Sequence, residues 1–202
     1  MSNVKSYPKM LIWTILAMVL LGLLAALVVS QAEKSQSQIT VWGSLPEFSF
    51  TAAHNGEPFG LEQMKGKITV VNFIFTRCRS VCPILMPNFA ELYKLYENSD
   101  KIQLVSITVD PEFDSLAVLN EYARLYGVDD DRWVFLWAPL DDIRELCEQG
   151  FMLPADDLPG GHSSKFTLVD ANGDIRSYHE GLDQDGMILL KQNIRQLARD
   201  ME

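Results

Sequence analysis

From Leu11 to Ser30 (LIWTILAMVLLGLLAALVVS) the chain runs for 20 residues without a charge, apolar on every face of the helix it would form. Such a helix is roughly 30 Å long, the thickness of a bilayer's hydrocarbon core, so the pattern predicts a transmembrane anchor over 11–30. Lys5 and Lys9 precede it and assign the short segment 1–10 to the cytoplasmic or matrix side. A cleaved signal peptide is the competing reading, with Ser30-Gln31-Ala32 as its small-residue site. The apolar run exceeds the roughly 7–15 residues of a signal core, which favours a retained anchor. No cysteine follows it to carry a lipid. Residues 31–40, polar through Gln31–Gln38 (QAEKSQSQ), read as a linker, and 41–202 as the globular domain.

Within that domain strand and helix patterns alternate. Ile68–Phe75 and Ile102–Val109 are almost wholly apolar and β-branched, which predicts strands buried on both faces. Between them Pro83–Tyr96 carries Leu85, Phe89, Leu92, Leu95 and Tyr96 at helical spacing. A second helix over Ser115–Tyr126 stops at Gly127, a third strand covers Trp133–Trp137, and a short helix over Asp141–Gln149 ends at Gly150. Lys165–Val169 and Ile175–His179 flank Asn172-Gly173, a hairpin signal. Gln184–Met201 closes the chain as an amphipathic helix, and Trp42–Thr51 predicts a short N-terminal hairpin. The order βαβαβα followed by ββα is the α/β arrangement of a thioredoxin-like domain: a central mixed sheet flanked by helices.

Charge narrows the partners. The chain carries −10 overall; residues 1–42 hold three lysines against one glutamate, so the remainder carries −12. With no cluster of Lys and Arg, nucleic acid is excluded as a partner. The acidic surface keeps the domain soluble and is compatible with a basic protein partner.

Cys78 and Cys82 lie four residues apart and Cys147 stands far off, too few for a disulfide-stapled scaffold. The pair sits in FTRCRSVCP (75–83), where the first buried strand passes into a helix. Pro83 suits the first helical turn, Cys82 falls at the helix N-terminus, and Arg77 and Arg79 flank Cys78; each of these favours a thiolate. The Cys-x3-Cys spacing makes a wider loop than Cys-x2-Cys. Two thiolates there can face one soft cation or close into a disulfide if their Cα atoms come within about 7 Å. A third donor is His162 in PGGHSS (159–164), whose loop abuts the cysteine loop in a thioredoxin-like fold. Its glycines allow a close approach. Two thiolates and an imidazole suit Cu(I) and tolerate Cu(II), whereas a closed zinc site wants a fourth ligand. His54 and His179 read as solvated, Cys147 as a small buried hydrophobe, and Asp156 and Asp157 as a solvated loop. Asp110 either supports the site or caps the turn at Pro111.

FTRCRSVCP (75–83), SITVDPEFDS (106–115), WVFL (133–136) and GHSSKFTLVDANG (161–173) resemble the Sco/SenC family of copper-binding proteins from about Val41 to the C-terminus. The resemblance implies a thioredoxin-like fold and copper held by Cys78, Cys82 and His162. It also implies a metallochaperone for the CuA centre of cytochrome c oxidase, with the CuA-bearing subunit as acceptor and a copper donor protein upstream. Arg79 replaces the proline usual after the first cysteine, Phe113 a common arginine, and Trp137-Ala138 a frequent Thr-Gly.

Two other functions compete. A thiol-disulfide oxidoreductase would use Cys78 and Cys82 as a redox dithiol without needing His162; it could serve the oxidase copper site or other extracytoplasmic targets. A peroxidase-like enzyme needs only one attacking cysteine and leaves His162 unexplained. The ten residues before the anchor lack the Arg-rich character of a transit peptide, which points to a bacterial inner membrane with the domain on the periplasmic side.

Overall fold

Burial on both faces turns the two most apolar runs of the globular domain into the centre of one sheet. The structure, a computed structural model, describes residues 7–36 and 39–201. In chain order its elements are α1 (Tyr7–Gln36), β1 (Gly43–Ser44), β2 (Ser49–Ala52), β3 (Pro58–Gly60), α2 (Leu61–Met64), β4 (Ile68–Ile74), α3 (Cys82–Leu95), β5 (Ile102–Thr108), α4 (Leu116–Leu125), β6 (Trp133–Trp137), α5 (Leu140–Glu145), β7 (Lys165–Val169), β8 (Asp174–Glu180) and α6 (Gln184–Asp200).

The chain divides into two units at Gln38/Ile39. The first contains α1, whose stretch Leu11–Val28 has mean hydropathy 2.7 and no buried residue, so it is long and apolar enough to cross a membrane. The helix continues past the apolar run to Gln36, because Ala32, Glu33, Lys34 and Gln36 are good helix formers that propagate a nucleus already made. Most of the segment expected as linker is therefore helical, while Met1–Ser6, Ser37 and Gln38 lie outside the described residues.

The second unit is an eight-stranded mixed sheet in the order β1-β8-β7-β4-β5-β6-β2-β3. β4, β5 and β6 run parallel; β7 is antiparallel to β4. Every residue of β4 and β5 is buried. The two-residue alternation of strands deals their side chains to two cores. Ile68, Val70 and Ile74 join Leu85, Phe89 and Leu92 of α3, Leu119 of α4 and Leu190 and Ile194 of α6 on one face. Val71 and Phe73 join Leu61 and Met64 of α2 with Ile143, Leu146 and Phe151 on the other. The buried amide of Asn72 in β4 is satisfied: it accepts from Ser106 Oγ at 2.6 Å, which itself accepts from Trp133 Nε1 at 2.9 Å. Both cores lie wholly within 39–201, so this unit carries what it needs to fold by itself.

The expected hairpin over Trp42–Thr51 does not form. Gly43–Ser44 pair with β8 at one edge, and Ser49–Ala52 pair with β6 near the other. Leu45 and Phe50 are drawn into the core between these edges. The hairpin is instead β2–β3, turning at Gly56 with φ 75°. The helix expected over Asp141–Gln149 is α5 followed by a wider π-helical turn, Leu146–Gly150, that buries Leu146 and Cys147.

His179, expected at a solvated strand end, is 3% exposed. The register of β8 slips between Leu168/Val169, so Val169 opposes Ile175 but Leu168 opposes Ser177. That bulge exchanges faces and turns His179 toward α6, where its Nε2 lies 2.7 Å from Ser177 Oγ and 3.4 Å from Asn193 Nδ2. Burial pulls its pKa down to about 4. Between that value and the unfolded 6.5 the unfolded chain takes up a proton that the folded one refuses. Stability therefore falls as pH drops through this window, by roughly 3 kcal/mol for a shift of this size. Urea unfolding of residues 39–202 from pH 7 to 4 should show this loss, and His179→Asn should flatten it; an equally steep profile in the variant would assign the loss to carboxylates.

Candidate metal centre

β4 delivers the cysteines and β7 the histidine. Beyond Ile74 the chain leaves the sheet, Cys78 N–H donates to Phe75 O (3.1 Å), and α3 begins at Cys82 with Pro83 in its first turn. Cys78 Sγ accepts from the backbone N–H of Cys82 at 3.4 Å, so the open N-terminus of α3 is turned toward that sulfur. His162 precedes β7 and is 8% exposed. Its Nε2 stands 3.8 Å from Cys82 Sγ and its Nδ1 3.2 Å from Ser163 O. The ring of Phe75 meets the imidazole edge-on at 5.4 Å. Of the two loop glycines, Gly161 is the constrained one. A Cβ there would come within 3.1 Å of the Asp157 side chain, whereas at Gly160 the nearest atom is 3.8 Å away.

The ligating atoms of Cys78, Cys82 and His162 all lie within 4.8 Å of one another, and no other residue joins them in this group among those described. Three donors around one ion at about 2.0–2.3 Å in a plane stand roughly 3.5–4 Å apart. The donor set is thus nearly spaced for a three-coordinate soft cation, and the residues fit the metal that their chemistry suggests. His54 stays at the surface near Asp131 (3.4 Å), and Cys147 is buried in the π-helical turn, its thiol pushed up to about 12 chiefly by burial.

The two thiols differ sharply, although both were expected to favour the thiolate. Burial pushes Cys78 up. The backbone N–H groups of Cys82 and Ser80, with hydrogen bonds from the same two side chains, outweigh it and bring the pKa down to about 6. For Cys82, 1% exposed, burial wins: it drives the thiol up to about 12 against a backbone hydrogen bond from Phe75, and repulsion from Cys78 and Asp114 adds to the rise. At both sulfurs burial and local hydrogen bonds lead, ahead of any effect of Arg77 or Arg79. The charge of Arg77 is engaged by Asp110, at 2.6 Å from Nη2 and 3.1 Å from Nε, and its guanidinium lies 4.1 Å over the Phe113 ring. Arg79 points into solvent.

Asp110 accordingly does both things left open for it. Its carboxyl holds the residue before Cys78, and its carbonyl turns the chain by accepting from Phe113 and Asp114 N–H at 3.0 and 2.9 Å. Asp114 is a residue that the sequence reading missed. Fully buried, it accepts from Thr76 N–H (3.1 Å), from the Thr76 hydroxyl and from Thr108 Oγ1 (2.6 Å). One side chain therefore ties the end of β5 to the loop that carries Cys78.

The fold and this group define a class: a thioredoxin-like domain with a Cys-x3-Cys pair and an imidazole facing it at the carboxyl edge of the sheet. The chain belongs to the SCO1/SenC family, whose family profile matches residues 43–198. The SCO1 protein homolog of Bacillus subtilis is 30% identical over 136 residues, 64% of this chain and 70% of that protein. The chain covers less of other curated relatives, between 50 and 61% for several SCO2 and SCO2-like proteins. Among solved structures, a SCO1/SenC family lipoprotein from Bacillus anthracis aligns with a TM-score of 0.70 at 30% identity, covering 77% of this chain and 95% of that one. BsSco, described as a member of the Sco family of cytochrome c oxidase assembly proteins with a disulfide switch, aligns with a TM-score of 0.66 at 25% identity, covering 78% and 98%.

Two outcomes follow from this geometry. Alkylation of the copper-free domain should modify Cys78 alone at neutral pH, with a rate that halves near pH 6 and falls further below it; mass mapping of the adduct checks the site, and comparable labelling of Cys82 would contradict the asymmetry. Asp114→Ala strands three donors and should cost roughly 3 kcal/mol or more, read as a lower urea midpoint.

Proposed function

We propose that the protein is a membrane-anchored copper metallochaperone that holds its cargo between Cys78, Cys82 and His162 and passes it to the CuA-bearing subunit of cytochrome c oxidase. The convergence of two sulfurs and one imidazole within 4.8 Å carries this reading. Thiolates select soft ions, three donors satisfy Cu(I), and a structural zinc would require a fourth ligand. Assembly of cytochrome c oxidase is the role given for the Sco family in the description of BsSco, and family membership supports that role here. α1 would anchor the chain, with Lys5 and Lys9 retained on the cytoplasmic side and the copper domain in the periplasm of a bacterial inner membrane.

The split between the thiols favours a second use of the same pair. Cys78, partly exposed and with its pKa lowered to about 6, is the form that attacks a disulfide; Cys82, buried behind it, resolves the mixed disulfide. In a complete cycle two thiols give up two electrons and two protons to an acceptor's disulfide, leaving Cys78–Cys82 oxidised and the acceptor's cysteines ready for metal. His162 is dispensable for that reaction and needed for copper.

Titration of reduced residues 39–202 with Cu(I) against a competing chelator should give one copper per domain. Cys78→Ala or Cys82→Ala should abolish competitive binding. His162→Ala should weaken it by at least roughly tenfold, since loss of a mere supporting contact to a metal ligand costs 10–100-fold. Unchanged affinity in His162→Ala would remove the imidazole from the site and leave the dithiol reading, which the same variant tests by retained reduction of an oxidised CuA cysteine pair.

A further inference from the structure

Beside the metal site, exposed apolar side chains that the core does not use gather around one groove. α3 contributes Ile84, Asn88 and Glu91 from one face, spaced i, i+4 and i+7, and the passage from β8 into α6 contributes Leu182, Ile188 and Lys191. The groove encloses about 450 Å³. Ile84 is 52%, Leu182 37% and Ile188 52% exposed. Its floor is fixed rather than fluid. Asn88 Nδ2 donates to Gly181 O at 2.8 Å, and a Cβ on Gly181 would fall 2.5 Å from Leu85, so this corner lies hard against α3. Lys191 closes the far end by its 2.7 Å ion pair with Glu91.

The near end is continuous with the metal centre. Ile84 is two residues beyond Cys82, and Gly181 N–H donates at 3.3 Å to the carbonyl of Ser164, two residues beyond His162. A molecule lying in the groove would thus rest on the two segments that carry the buried ligands. Charge says what kind of molecule. The groove's lysine is neutralised by Glu91, which leaves Asp183, the N-cap of α6, and exposed Asp185 without a cationic side-chain partner among the described residues, on a domain that carries −12. An anionic lipid surface would be repelled by this rim, and a second copy would oppose acid to acid.

We propose that the groove docks the protein that exchanges copper with the site, through a segment that offers an aliphatic side chain flanked by Lys or Arg. The proposal rests on the copper-exchange reading given above. It adds where the partner sits and what its contact segment looks like.

Methyl-labelled, copper-free residues 39–202 titrated with the soluble CuA domain of the same organism's oxidase provide the test. Shifts should concentrate on Ile84, Leu182 and Ile188. The apparent Kd should rise by about fivefold or more in Ile188→Asp, as for an anchor side chain at an interface, and rise with salt. Cu(I) affinity should be unchanged in that variant. No shifts, or shifts confined to another face, overturn the proposal. So do groove shifts produced by raising the domain's own concentration, which assign the groove to a second copy, or by anionic vesicles but not the CuA domain. Docking is measured without copper, so a failed copper titration would end the reading of the site while the docking result stands on its own.

Discussion

The placement of antiparallel β7 beside parallel β4 is the constraint on which the site depends. In the ladder Thr69 faces Val169 and Val71 faces Thr167, so the start of β7 lies next to the end of β4. Cys82 and His162, 80 positions apart along the chain, are thereby brought to a sulfur–nitrogen distance of 3.8 Å. A parallel β7 would carry residue 162 to the opposite edge of the sheet. The remaining devices refine this placement: Phe75 braces the imidazole ring, Asp114 ties the cysteine loop to β5, and Gly161 permits the tight turn over Asp157.

Around that junction the two sulfurs receive opposite treatment from the same local sequence. A helix N-terminus offers unpaired N–H groups to whatever stands in front of it, and here the sulfur in front is that of Cys78. Cys82 is itself the first residue of the helix and its side chain turns inward among Leu85, Phe89 and Phe166, so desolvation governs it. Arg77 contributes through shape: it spans from Asp110 to the face of Phe113 and so ties down the loop just before Cys78.

Much of this was legible in the chain. Periodicity and Gly127, Asn172 and Gly173 placed β4 to β8 and their helices within a residue or two, because those segments are long and bounded by residues with distinct turn chemistry. The cysteine pair announced itself by its position between strand and helix. The N-terminal strands were illegible for the converse reason. Gly43–Ser44 is too short to show any period, and the Asn55-Gly56 turn joins β2 to β3, strands of only four and three residues. His179 was misplaced because a bulge reverses the face of every residue after it without leaving a pattern in the sequence. Asp114 was missed because its importance lies in the partners Thr76 and Thr108, which only the folded sheet brings to it. The donor types already pointed to copper, and the resemblance to Sco/SenC proteins added the expected acceptor, which no residue pattern carries.

The proposed carrier role requires that the ion be released, and the gradient of exposure across the three donors suits that requirement. Cys82 and His162 are buried against the frame, while Cys78 sits on the loop and remains partly open to solvent. A bound ion would therefore be shielded on two sides and approachable on the third, where an incoming thiolate can add before Cys78 leaves. With three protein donors, the ion would leave room for a donor from the partner. The groove between α3 and α6 begins at the segments that follow the two buried ligands, Cys82 and His162. A partner seated there would be held by parts of the molecule that do not have to move during transfer, leaving the cysteine loop free to give up its sulfur.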